Sequence, residues 1–466
     1  SYSIRAMMWA VPRRLFATTS ATSSRCTPFP RAKPRLLSAP RLLSTIARDY
    51  DVVVCGGGVI GASVAYHTIL ADPRLRVCVV ERDVRYTHAS AMLSAGGIRQ
   101  QFSLPANIQL SLYGLDFLRR AASDLCVPGE EPPDLQFKEQ GYLFLASEQG
   151  EATLRRNHAT QRAEGVDWMR LLDPDELATR FPWMDVGGVA LGCLGEHSEG
   201  WFDPWALLTA LRSKARSLGV TFHAGEVTGF DLERTAPGAI RAVRVADAEG
   251  GSSLVGAREV VNAAGAFAGQ LVGLCGAGVA PLPVAARKRC VFSFDVGSRG
   301  GAREARGVPP GGTTPLVVDP SGVYFRPEGG SGQFLCGVSP PKARGDPDYD
   351  DVGALDAVDH DLFEEVIWPA LYQRCEAFGS LKVSSSWAGF YEYNTLDQNA
   401  VIGRHPHVHN LVLCNGFSGH GLQQSPGAGR AVAELLTAGT YQTVDVSCFG
   451  FDRVARGEPL FEQNIV

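Results

Sequence analysis

Apolar positions along the chain keep two rhythms. Tyr50-Asp51-Val52-Val53-Val54-Cys55 is a continuous β run of the kind buried in a parallel sheet, and it stops at Gly56-Gly57-Gly58-Val59-Ile60-Gly61. Leu75-Arg76-Val77-Cys78-Val79-Val80 is a second run, ending in Glu81. Val220-Thr221-Phe222, Val260-Val261-Asn262-Ala263-Ala264-Gly265 and Leu411-Val412-Leu413-Cys414-Asn415 return the chain to the same kind of sheet. Helical periodicity follows Leu104-Pro105 through Arg120, with proline in the first turn, and runs again from Glu148 to about Glu164. The segment from Pro204 to Ser217 places Leu207, Leu208, Leu211 and Ala215 on one side, with Asp203 as its N-cap. A last helix is expected from about Pro426 to Leu436. Between these, strand-like Gly141–Ala146, a short segment ending at Phe181-Pro182-Trp183, and a proline- and glycine-rich stretch from Leu271 to Ser385 with aromatic runs such as Val323-Tyr324-Phe325-Arg326 read as an inserted α+β domain. The expected division is a leader (1–48), then nucleotide-binding parts at 49–115, 198–270 and 386–466. Substrate-domain parts at 116–197 and 271–385 interrupt them.

Charge is divided unevenly. Residues 1–48 hold eight arginines, Lys33 and many Ser and Thr, and the first acid is Asp49, which reads as an organelle transit peptide. The rest keeps 35 Lys and Arg against 49 Asp and Glu, which argues against nucleic acid as a partner. Eleven cysteines stand singly with no zinc spacing, so they read as reduced, mostly buried thiols, and no metal is expected. His405, His407 and His409 alternate as strand ligands would, but Pro406 interrupts them and a surface loop is expected. No apolar run approaches the ~20 residues of a membrane helix, so association with a membrane is expected to be peripheral at most.

Chemistry concentrates in the first glycine turn. In Gly56, Gly58 and Gly61 the first glycine permits the tight turn, the second lets the backbone approach a pyrophosphate, and the third lets helix pack on strand. Ala65 serves the same packing one turn later. Glu81, 20 residues after Gly61, can accept both hydroxyls of a ribose. Ala95-Gly96-Gly97-Ile98-Arg99 is a small-residue turn where backbone could lie against a flat ring.

With that turn and Glu81, the strand Asn262-Ala263-Ala264-Gly265 and above all Gly416-Phe417-Ser418-Gly419-His420-Gly421 make the chain resemble the FAD-dependent oxidoreductases that include sarcosine oxidase, dimethylglycine dehydrogenase and D-amino-acid oxidase. The resemblance covers Asp49 to the C-terminus. It implies an α/β fold of two domains, a Rossmann-like FAD-binding domain with an inserted α+β substrate domain on a mainly antiparallel sheet. FAD would lie extended, its pyrophosphate at the helix after Gly61 near Val59 and Ile60, its ribose on Glu81, with Arg82 and Ser90 nearby. Further implied contacts are Gly96, Gly97, Ile98 and Val227, then Ala263, Ala264 and Gly265, and beyond them Gly389 and the loop Gly416, Phe417, Ser418, Gly419, His420, Gly421 and Leu422. That loop would turn main-chain amides and a helix N-terminus towards the negative charge of reduced flavin.

The implied reaction removes a hydride equivalent from the carbon beside an amine. Arg99, Tyr324, Arg326, Tyr391, Tyr393 and His420 are the candidates for the substrate side: either arginine could clamp a carboxylate, while Tyr and His could hydrogen-bond it. Several positions depart from the family pattern. The lysine that anchors the carboxylate in sarcosine oxidases falls on Gln423. The flavin-tethering cysteine and histidine of relatives fall near Phe390 and Leu93, so the FAD is expected to be non-covalent, and an oxygen-activating lysine falls near Leu335. Gly97–Pro105, Gly200–Trp205 and Tyr393–Asn399 look close to a mitochondrial member of the family. This closer resemblance implies the mitochondrial matrix and respiratory complex I or its assembly intermediates as partner. The oxidoreductase would then act on a small amine or N-methyl amino acid, or bind FAD mainly as an assembly factor or accessory subunit.

Overall fold

The computed structural model describes residues 46–463 except 234–237, 298–306 and 331. The transit-peptide reading falls almost wholly outside the described residues.

Strand Ile46–Cys55 is the middle of the first sheet, paired in parallel with Val77–Glu81 on one side and Ser252–Asn262 on the other. Thr221–Ala224 and Val408–Asn415 extend the parallel set, and Val401–His405 closes one edge antiparallel. The side-chain period of two sorts the central strand between two cores. Val52 and Val54 pack with the helices Val59–Ala71, Pro204–Ser217 and Gly421–Thr437, while Val53 and Cys55 pack with Ile240, Val243, Leu271 and Val272. Burial on both faces is why the run carries no alternation.

The second sheet has nine strands, and all its pairs are antiparallel except Leu316–Val318 with Tyr142–Ala146. Phe292, Phe294, Phe325, Phe334 and Phe378 fill its core. The fold is therefore the α/β arrangement expected, with a mainly antiparallel second sheet. Four of the five expected boundaries fall inside continuous elements: 48/49 lies within the strand Ile46–Cys55 and 270/271 within the helix Ala268–Gly273. Residue 115 lies within the helix Pro105–Asp124, and residue 385 lies within the strand Lys382–Asn394, held along its length by Val284–Asp295.

Two further expectations are corrected. The last helix begins at Gly421 and contains Pro426. Proline removes the N–H that would bond the Leu422 carbonyl, and the Ser425 hydroxyl donates to that oxygen instead at 2.9 Å. The three histidines do not share a surface loop: His405 ends a strand at 1% exposure with Nε2 on the Ala280 carbonyl, Pro406 and His407 form the turn, and His409 starts back along the next strand. Among the described residues no helix is long and apolar enough to cross a membrane, and every described cysteine is free, eight of the ten being buried.

Candidate active site

The glycine turn divides its tasks among three residues. Gly56 sits at φ +103°, and a Cβ there would stand 2.3 Å from the Ala263 carbonyl oxygen. A Cβ on Gly61 would stand 1.9 Å from the Gly56 oxygen. Those two are required by the protein's own packing. Gly58 is not, because a Cβ there meets nothing within 4 Å. It is the N-cap of the helix Val59–Ala71, which has no side-chain cap and no acid in its first turn. The amide end of Val59 and Ile60 thus opens onto clear space, the arrangement that receives a phosphate.

Glu81 lies beside this end. Its carboxylate accepts the Gly57 N–H at 2.7 Å and the Asp83 N–H at 2.8 Å, and burial holds its pKa above the ordinary carboxylate range. Tyr86, which sequence reasoning missed, is 2% exposed, has no partner for its hydroxyl among the described residues, and reaches within 3.0 Å of the Cβ position of Gly57. An orphaned buried hydroxyl in the turn is a second sign of an absent polar group. Arg82 stacks on Phe267 at 4.2 Å, just beyond Ala263, Ala264 and Gly265, while Val227 and Ser90 are half-buried.

The loop Gly416–Gly421 mirrors this end. Gly416, Ser418 and Gly419 all have positive φ, and a Cβ on Gly419 would strike the Tyr391 ring at 2.6 Å. The helix that follows, capped by His420, also lacks a side-chain cap and a first-turn acid. Glu392 holds the loop from beneath: its carboxylate accepts from Gly416 N at 3.2 Å and its carbonyl from Ser418 N at 3.2 Å. Phe417 and Leu422 are buried, and Gly389 packs on Leu93.

Arg99 lies where the two elements approach the second sheet. Its main chain is fixed by Gln423, whose Oε1 accepts the Arg99 N–H at 2.7 Å, and by the Ser111 hydroxyl on its carbonyl. The guanidinium lies over Phe102 at 4.3 Å, Phe144 at 5.2 Å and Tyr142 at 5.7 Å. Its one side-chain hydrogen bond is a long one, 3.5 Å to the Gln101 carbonyl, and no acid pairs with it among the described residues. His420 packs edge-on against Phe102, and burial first, then the Arg99 charge, pushes its pKa down to about 3, so it is neutral. Glu199 accepts from Gln100 N and from Gln101 Nε2, and burial raises it to about 8, so near neutral pH it leaves the Arg99 charge uncompensated.

Other candidates are brought only partly to this place. Burial first, then the neighbouring Tyr391 and Tyr142, lifts the Tyr324 phenol well above its usual range. Arg326 is not free to clamp a carboxylate: its Nε donates to the Ala95 carbonyl at 2.8 Å, its Nη1 to the Pro327 carbonyl and to Glu328, and it stacks on Trp201. Being 6% exposed, it took the acceptors nearest to it. Tyr393 lies under Arg287 at 3.9 Å, beside the paired Arg289 and Asp346. Among the described residues no group of three His, Cys, Asp or Glu stands at metal-binding distance.

Both buried acids have a consequence for stability. Glu199 and Glu392, each raised to about 8 chiefly by burial, keep a proton in the folded chain at pH values where an unfolded carboxyl, titrating at about 4.3, has lost it. Their stabilisation is complete below the unfolded value and is lost as pH rises towards 8, roughly 1 kcal/mol per pH unit for each acid. The melting temperature of the apo-protein is expected to fall from pH 5 to pH 8, and Glu199→Gln to flatten part of that slope; an equally steep slope in the variant contradicts it.

A sequence model of the DAO family, FAD dependent oxidoreductase, matches residues 51–435. The chain is 46% identical over 438 residues to FAD-dependent oxidoreductase domain-containing protein 1 of Xenopus laevis, covering 89% of this chain and 85% of that protein. It is 25% identical over 411 residues to glycine oxidase of Bacillus licheniformis, covering 87% and 98%. Among solved structures, L-proline dehydrogenase from P. horikoshii superposes with a TM-score of 0.73 at 26% identity, covering 89% of this chain and all of that one.

Proposed function

Because the chain belongs to the DAO family of FAD dependent oxidoreductases, we propose that it oxidises the carbon beside the nitrogen of a carboxylate-bearing amine, with Arg99 receiving the carboxylate. The observation that carries this reading is the Arg99 guanidinium, set among three aromatic rings with no acid paired to it among the described residues. A half-buried cation without an acidic partner favours an anionic ligand and gives it an orientation.

FAD is the cofactor of the family, and the residues present fit it. The open amide end at Gly58 suits its pyrophosphate, Glu81 its ribose, and the uncapped loop and helix at Gly416–Gly421 its ring. Bound FAD supplies the acceptor for a hydride equivalent. The protein's own groups orient and exclude. Arg99 fixes one end of the substrate, Phe102, Tyr142 and Phe144 keep water away, and neutral His420 can accept or donate one hydrogen bond without adding charge. Phe390 and Leu93 offer no atom for a covalent link, which supports a non-covalent cofactor. Leu335, 5% exposed on an inner strand, offers no cation to help oxygen, which supports a dehydrogenase using another acceptor.

The reading extends to place and partner. The acid-free, arginine-rich segment 1–48 supports import into the mitochondrial matrix, and the resemblance to a mitochondrial member supports association with respiratory complex I or its intermediates. A mainly structural role there is the second reading, favoured by Gln423: where a lysine would face the substrate, its side chain is taken up by Arg99 N and Ser111. Anaerobic mixing of the FAD-loaded protein with sarcosine, dimethylglycine and proline tests the first reading. Loss of flavin absorbance with at least one is expected. No loss with any of them, together with co-migration with complex I intermediates on native gels, supports the second.

A further inference from the structure

The strand Lys382–Asn394 carries a carboxyl into the interior directly beneath the loop Gly416–Gly421. Glu392 is 8% exposed. One oxygen accepts the Gly416 N–H, and the other lies 2.9 Å from where a Cβ on Gly421 would stand, at the first residue of the helix Gly421–Thr437. Its hydrogen-bond partners are the main-chain amides of Gly416 and Phe417, and no cation among the described residues contributes to its state.

The groups around it leave it alone with that helix end. From the strand Val408–Asn415 of the first sheet comes the Cys414 thiol, which burial and Glu392 together hold protonated. The loop contributes Ser418 and neutral His420. Strand Val284–Asp295 contributes Ala286, directly opposite in register. Tyr391 and Tyr393 lie on the other face of the strand, where Arg287 and Arg289 are engaged with them and with Asp346. The positive end of the Gly421 helix, without a cap of its own, is therefore shared between Glu392 below and whatever anion lies above. Two anions at one helix end repel at low dielectric, so the arrival of one raises the proton affinity of the other.

We propose that Glu392 is a proton-accepting partner of the bound FAD, taking up a proton from solvent when the flavin is reduced to its anion. This rests on the FAD reading above, with the ring at the Gly421 helix end. Two electrons and one proton convert FAD to the reduced anion, and a second proton converts the Glu392 carboxylate to the acid. The couple then consumes two protons per two electrons wherever Glu392 is ionised in the oxidised protein.

The test is the midpoint potential of the bound FAD, measured against a reference dye from pH 6 to pH 10 in the wild type, Glu392→Gln and Glu392→Asp. Burial holds the Glu392 pKa at about 8. Above that pH the wild-type potential is expected to fall about 30 mV per pH unit more steeply than that of Glu392→Gln, the value of one extra proton in a two-electron couple. Below it the two slopes run parallel. Glutamine keeps an oxygen for the Gly416 and Phe417 amides, and a retained melting temperature shows the loop intact. Should that variant fail to fold, Glu392→Asp keeps the acid and is expected to move the break to another pH. Coincident slopes with FAD bound overturn the proposal, as does a break unmoved in Glu392→Asp. A wild type that takes up no FAD overturns the cofactor reading and this inference with it.

Discussion

Gly58→Asp is expected to leave the apo-protein at least as stable as the wild type while weakening FAD binding by on the order of a hundredfold or more, about 3 kcal/mol. The two effects have opposite sign because the position serves the ligand and not the fold. Gly58 has φ −63° and ψ −171°, extended backbone open to any residue, and its Cβ would meet nothing within 4 Å. Aspartate there can accept the free first-turn amides as an N-cap, worth a few tenths of a kcal/mol over glycine. The same carboxylate then occupies the amides that a pyrophosphate needs, and repels its charge. Gly61→Ala is the contrasting control. Its methyl would lie 1.9 Å from the Gly56 oxygen, so the strand-to-helix turn must open, and the apo-protein itself should lose about 2 kcal/mol or more. Thermal melts of both apo-variants and titration with FAD by fluorescence check the pair. Wild-type FAD affinity in Gly58→Asp would remove the pyrophosphate from this turn.

That contrast also marks how far the sequence could be read. The turn was legible because its chemistry is local: strand, glycines, helix and acid lie within 36 residues, and each is dictated by its neighbours in the chain. The Asp203 cap was legible for the same reason, its carboxylate accepting from Trp205 N and Ala206 N. Glycine spacing could not separate the role of Gly58 from that of Gly56 and Gly61, because the separation depends on what stands opposite each one in space. The start of the last helix was hidden by Pro426, whose missing bond is replaced by a hydroxyl one residue away. Arg326 and Arg99 look alike in the chain. They differ because one acceptor of Arg326 is Ala95, 231 residues distant, whereas Arg99 meets three rings and a single long bond to the Gln101 carbonyl. Glu199, Glu392 and Tyr86 were missed altogether. Their text is that of ordinary polar residues, and only burial without a charged partner makes them notable.

The second large effect follows from that difference between the arginines. Arg99→Gln is expected to lower the rate of flavin bleaching at limiting substrate by on the order of a hundredfold for any carboxylate-bearing amine the protein oxidises, about 3 kcal/mol for a charge-assisted contact closed over by the bound substrate. Its fold should survive, because the structural bonds of residue 99 are main-chain bonds, to Gln423 Oε1 and from the Ser111 hydroxyl, which any side chain preserves. Arg99→Lys should recover only part of the loss, since an ammonium keeps the charge but not the planar fork. Arg326→Gln is predicted to behave in the reverse way. It breaks bonds to Ala95, Pro327 and Glu328 in a nearly closed environment and should cost stability, with no selective loss against carboxylate substrates. The measurement is the bleaching rate against substrate concentration for an amine with and without its carboxylate. If the reading holds, Arg99→Gln discriminates less between the two while Arg326→Gln discriminates as the wild type does. Equal losses on both amines in Arg99→Gln would assign that cation to the flavin or to packing, and would leave the carboxylate without a receptor among the residues described.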